Sequence, residues 1–188
     1  MADLFENLTK LKPAEIRVHS QESLEWFRTQ IRNIYKPMIR DSLYQEGTKT
    51  SQLIEGNMYM MFYDAKTKKK LPYWDRFPLV IPFDISPIDS FYGLNLHYIA
   101  PRHRTLLLEE LYKIKNKDEG VFAEYHYIQK VSRLSFAKPC IKKYLYSHII
   151  RKPMKISLDY WDVAAMLPTS NFKGTNANTV YAESRKQF

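Results

Sequence analysis

Cysteine is nearly missing from this chain: Cys140 stands alone among 188 residues. A lone cysteine makes no internal disulfide, so the fold must hold without covalent staples, which suits a reducing compartment. Cys140 lies in an amphipathic stretch and reads as a packed thiol, not a nucleophile. Structural zinc wants four Cys or His ligands at short spacing. Cys140 and the scattered His19, His97, His103, His126 and His148 do not supply that, apart from a loose His97…His103 pair, so no metal and no cofactor is expected. Glycine is scarce, at 5 residues, which excludes a collagen-like or glycine-linker protein. No uncharged run approaches the ~18 apolar residues of a membrane span. The start, Met1-Ala2-Asp3-Leu4-Phe5-Glu6, is acidic and unlike a signal peptide, so no membrane partner is expected. Also missing are a glycine-rich phosphate loop, G-x-S-x-G and H-E-x-x-H.

Positive charge and aromatic rings are what the chain has in quantity. Lys and Arg number 29 against 20 Asp and Glu, a formal net charge of +9. That excess favours phosphate or carboxylate surfaces as partners and says nothing about fold. Tyr contributes 14 residues, Phe 10 and Trp 3. A tyrosine joins a broad apolar ring to a hydroxyl and serves a core or an interface equally well.

The pattern predicts an α+β fold, with a small antiparallel sheet packed beside several helices and extended N- and C-terminal arms. Residues 1–19 read as an N-terminal arm, 20–168 as a single domain, and 169–188 as a polar tail that orders on a partner. Ser20 is a candidate N-cap for a helix whose Leu24, Phe27, Ile31 and Ile34 share one face, stopped or kinked at Pro37. Three strand-like runs follow, at 58–63, 71–83 and 91–98. Pro72, Pro78 and Pro82 predict that the second is short or at an edge. In the third, Tyr92, Leu94, Leu96 and Tyr98 alternate onto one face. Pro101 opens a helix with Leu107, Leu108, Leu111 and Ile114 inward and a Glu109–Lys113 pair outward. Residues 120–134 suit helix or strand. A helix face is expected over Ile141, Tyr144, Leu145, His148 and Ile149, and a short last helix from Ser157 to Pro168.

Basic residues gather in several places. Arg28, Arg32 and Lys36 repeat at steps of four on one helix, with Arg40 beyond Pro37, and Glu25 is not placed to relieve them. Lys68, Lys69 and Lys70 crowd a loop tip, and Arg185 and Lys186 sit near the end. These are read as partner contacts, with a solvated face as the plain alternative. Between 138 and 155 there is no Asp or Glu, and Lys142, Lys143, Arg151, Lys152 and Lys155 are read as sequence-independent nucleic-acid contacts from a lysine-bearing helix. Asp75, Asp84 and Asp89 occur close together, as a metal nuclease would need, but they lie in proline-broken, turn-like sequence. No catalytic residue is assigned.

Five segments carry a resemblance. The run Leu71-Pro72-Tyr73-Trp74-Asp75-Arg76-Phe77-Pro78-Leu79, with Phe91-Tyr92-Gly93-Leu94-Asn95-Leu96-His97-Tyr98, resembles small virion proteins of T4-like tailed phages, the DNA end protector family. Cys140 to His148, Asp162 to Pro168 and Val180 to Arg185 are similar too. The resemblance spans roughly residues 52–185. It implies a non-enzymatic virion protein, made in the host cytoplasm, that caps the end of packaged DNA near the head vertex against host exonuclease. It also implies other virion proteins as partners in a multi-subunit assembly. A purely structural neck, tail or baseplate protein is the alternative, and a metal-dependent nuclease the third reading.

Overall fold

The computed structural model describes residues 4–34, 40–115 and 133–187. Lys36 and the ambiguous stretch up to residue 132 lie outside them, as does the side chain of Arg32. The chain opens with α1 (Leu4–Lys10), α2 (Gln21–Ile34) and α3 (Arg40–Glu46). Then come β1 (Thr48–Lys49), β2 (Met58–Met60), β3 (Trp74–Asp75), β4 (Leu79–Ile85) and β5 (Ser90–Asn95), followed by α4 (Pro101–Lys115). After these lie β6 (Ile141–Leu145), β7 (Met154–Ile156), α5 (Trp161–Met166), β8 (Phe172–Lys173) and α6 (Ala177–Arg185). Six strands pair antiparallel in the order β1-β7-β2-β4-β5-β6, and β3 with β8 forms a separate ribbon. The expected α+β architecture is present, with a wider sheet than three strand-like runs suggested.

The α2 helix starts where its cap predicts, since the Ser23 N–H donates to Ser20 Oγ at 3.1 Å. Leu24, Phe27 and Ile31 are buried on its inner face. They join Leu107, Leu108 and Leu111 of α4, Trp161 and Val163 of α5, and Leu79, Ile81 and Leu94 of the sheet in the main core. The opposite sheet face carries a smaller cluster of Met61, Tyr63, Ala65, Val80, Phe91 and Tyr144. Period-2 alternation explains the division: Val80 faces one side, and its neighbours Leu79 and Ile81 face the other. Gly93 lies between them on the smaller side, where a Cβ would come within 2.4 Å of Val80 Cγ1.

Arg104 is buried, with no carboxylate partner among the described residues. Its Nε donates to the Ile99 carbonyl at 2.9 Å, Nη1 to the Ala165 carbonyl at 2.7 Å and Nη2 to Tyr181 Oη at 2.7 Å. One guanidinium fork therefore ties α4 to α5 and α6. The N-terminal residues place Phe5 and Leu8 in the core, with the Phe5 ring stacked on Tyr160. Among residues 169–187, Val180 and Ser184 are buried, and Ser184 Oγ donates to the Tyr98 carbonyl at 2.6 Å.

Four local expectations are corrected. The stretch from Ile141 to Leu145 is an edge strand, not a helix: Phe91 pairs with Tyr144 and Gly93 with Lys142 across β5–β6. Pro82 lies in an interior strand. Its carbonyl accepts the Gly56 N–H at 3.0 Å, so its missing donor faces the side where pairing with β2 has already ended at Val80. The run at 91–98 leaves the sheet at Asn95, whose Oδ1 accepts the His97 N–H and starts a 3-10 turn over Leu96–Tyr98. Finally, Glu25 does relieve the basic column, pairing with Arg28 at 2.5 Å. The expected Glu109–Lys113 pair forms, at 3.3 Å, and Glu110 joins it at 2.8 Å.

Candidate functional site

The richest chemistry lies on the smaller face of the sheet. There the Tyr63–Asp75 segment folds against β6 and leaves a cleft of about 490 Å³. Lys66, Lys142 and Lys143 line it, with Tyr73, Trp74 and Tyr98 among its aromatic walls. A strand places Lys142 and Tyr144 on one face and Lys143 on the other. Lys142 Nζ rests 4.1 Å from the centroid of the Tyr98 ring, and Lys143 Nζ lies 5.7 Å from that of Tyr92, its cross-strand neighbour. Burial pushes the Lys142 ammonium pKa down from its ordinary value. A second hollow of about 490 Å³ lies beside Lys68, Arg76 and Lys173, and Trp74 lines both.

A buried polar network supports the cleft. Asp75 Oδ2 accepts from His97 Nδ1 at 2.6 Å and from Asn95 Nδ2 at 3.3 Å. Its Oδ1 accepts the backbone N–H groups of Phe77 at 3.0 Å and Asn171 at 2.9 Å. Burial works against this carboxylate, but the His97 ring and the two backbone donors outweigh it and hold its pKa below the usual range. Burial pushes His97 down as well, beyond the attraction of Asp75, and Arg104 and Arg40 add to that. The neutral ring then keeps its proton on Nδ1, and Thr169 Oγ1 donates to Nε2 at 3.1 Å; this tautomer is assigned from the bonding pattern. Asn95 Nδ2 also reaches Tyr144 Oη at 3.1 Å, linking the network to the strand that bears Lys142.

Carboxylate, imidazole and hydroxyl here follow the order of a nucleophilic relay. The side chains of His97 and Asp75 are 0% and 1% exposed, and Thr169 is 2% exposed, so the relay does not meet a substrate. It acts as a strut between β3, β5 and the Thr169–Asn171 segment. That segment is also held by Arg40, whose Nε donates to the Thr169 carbonyl at 2.7 Å and whose guanidinium reaches the Ser170 carbonyl. Gly174 closes the β3–β8 ribbon with φ +88°, and a Cβ there would sit 2.6 Å from the Pro72 carbonyl oxygen.

The predicted nucleic-acid residues do not share one helix. Lys142 and Lys143 lie at the cleft. Arg151 pairs with Asp41 at 2.7 Å and lies 4.7 Å from the Phe62 ring centroid. Lys152 is exposed, and Lys155 is exposed on β7, four strand steps from β6 and so roughly 19 Å away. Of the predicted partner contacts, Arg28 is paired with Glu25 and Lys68 with Asp64 at 2.7 Å, while Lys69, Lys70, Arg185 and Lys186 are exposed. Sequence reasoning missed Arg76 and Lys173, which β3–β8 pairing brings beside the lysine-rich turn. The sequence signal was a cation next to an aromatic in both strands, Trp74-Asp75-Arg76 and Phe172-Lys173. Asp84 and Asp89 are exposed while Asp75 is sealed, and among the described residues no three His, Cys, Asp or Glu gather to hold a metal ion.

One family model matches this chain. That of the phage T4 terminal DNA protecting protein aligns with residues 5–185. The chain belongs to this family. The match takes in every strand and helix described, apart from Leu4 at the start of α1. No curated protein and no solved structure gives a match. The family places the chain among bacteriophage proteins that protect DNA ends.

Proposed function

We propose that the protein is a non-enzymatic virion component that binds the ends of packaged double-stranded DNA near the head vertex and shields them from host exonuclease. The observation that carries this reading is the charge of the cleft. Lys66, Lys142 and Lys143 line it, and its one carboxylate, Asp75, is spent on four internal hydrogen bonds. Lysine–phosphate contacts position a duplex without reading its sequence. Family membership supports the choice of DNA over other polyanions. Lys152 and Lys155 extend the contact across the sheet, with Arg151 a lesser contributor because Asp41 holds it. Arg28, Lys68, Lys69, Lys70, Arg185 and Lys186 serve as contacts with neighbouring virion proteins, and the sequence adds Arg32 and Lys36 to that set.

The test is digestion of linear duplex DNA by a processive exonuclease. The protein is expected to slow degradation of open-ended DNA, and a Lys66→Ala/Lys142→Ala/Lys143→Ala variant of unchanged melting temperature is expected to lose that protection. A triple variant that protects as well as its parent would sink the proposal.

A further inference from the structure

Two groups in the cleft lack the partners their chemistry asks for. The Trp74 indole N–H is buried and has no hydrogen-bond acceptor among the described residues. Buried donors are almost always satisfied, so an orphan marks a place where something else supplies the acceptor. Lys142 is the second. Its half-buried ammonium is held over the Tyr98 ring, and no carboxylate lies within ion-pair distance of it among the described residues. A cation withdrawn from water gains strongly from an anion. Tyr73 and Trp74 are partly exposed and offer ring surface beside these groups. The volume, about 490 Å³, falls in the range of sites that enclose one small molecule, not a duplex.

We propose that this cleft receives the terminal nucleotide of a DNA strand, unpaired from its complement, with its phosphate on Lys142 and its base against Tyr73 and Trp74. The proposal rests on the DNA-end reading and deepens it. Base faces inside a duplex are covered by stacking on both sides, and drawing such a base out is costly. A terminal nucleotide has one stacking neighbour and frays readily. A ring-walled pocket therefore selects ends without reading sequence, because every base has a π-face.

The experiment measures binding of the full chain to one duplex in two forms: with a single unpaired nucleotide at each end, and with both ends closed by hairpin loops. The wild-type protein is expected to prefer the open form by at least about tenfold. Lys142→Met keeps the aliphatic stem on Tyr98 and is expected to cut that preference about tenfold, with Lys142→Arg restoring most of it. Trp74→Phe keeps a ring, removes the donor and is expected to lower the preference. Should Lys142→Met melt early, Trp74→Phe decides. Full retention of the preference in folded Lys142→Met or Trp74→Phe would overturn the nucleotide pocket and leave the DNA-end reading standing. Equal binding of both forms by the wild type would overturn both.

Discussion

At the scale of single residues, the Asp75–His97 pair decides how the protein responds to acid. Both groups have pKa values below their ordinary ones when folded. The unfolded chain therefore binds protons first as pH falls, and stability is lost on acidification. His97 contributes its full share above about pH 6.5 and loses it progressively below; Asp75 does the same below about pH 3.8. Melting temperature is expected to fall from pH 7 to pH 5. His97→Gln is expected to flatten that limb and leave the steeper loss below pH 4, read by thermal denaturation across the range. An unchanged slope between pH 7 and 5 would show that another group titrates there. Each charge-assisted bond to Asp75 is worth about 1.5–3 kcal/mol, so Asp75→Asn is a severe change even though the shapes match.

At the scale of elements, α6 is a clasp more than a tail. Tyr181 accepts from Arg104, and Ser184 bonds the Tyr98 carbonyl beside the cleft. Removing residues 177–188 leaves one Arg104 donor and one buried carbonyl without partners, at a cost of about 1–3 kcal/mol each. The truncated chain is expected to melt well below its parent in calorimetry. A parent-like melting temperature would contradict the clasp. Local signals also explain which elements could be read from the chain. The α2 cap at Ser20 and the α4 face of Leu107, Leu108 and Leu111 were legible because each helix carries its own periodicity. β6 was not. Ile141, Tyr144, Leu145, His148 and Ile149 also fall at helical spacing, and only the long-range pairing of Tyr144 with Phe91 makes the first part a strand. The same pairing rearranged the candidate site. Lys142 and Lys143 were visible as cations, but their meeting with Lys66 depends on contacts across some seventy residues of chain.

At the scale of the whole molecule, the excess of nine positive charges draws polyanions from a distance, and the cleft determines where they settle. Each phosphate neutralised contributes about 0.9 to the slope of log K against log salt. Loss of Lys66, Lys142 and Lys143 is therefore expected to make that slope shallower by about 2.7. Loss of Lys69 and Lys70, at the exposed turn, is expected to change it by less than about 1. Titrations of an open-ended duplex from 50 to 200 mM salt separate the two; equal effects would mean a diffuse field and no defined phosphate track.

The thiol of Cys140 has no solvent contact, and burial lifts its pKa to about 12. A virion component, the role proposed for this protein, outlives the cell that made it and drifts in oxygenated water. There an exposed sulfhydryl would slowly convert to sulfenic acid or weld neighbouring subunits together. Enclosed and protonated, this one offers an oxidant no thiolate to attack.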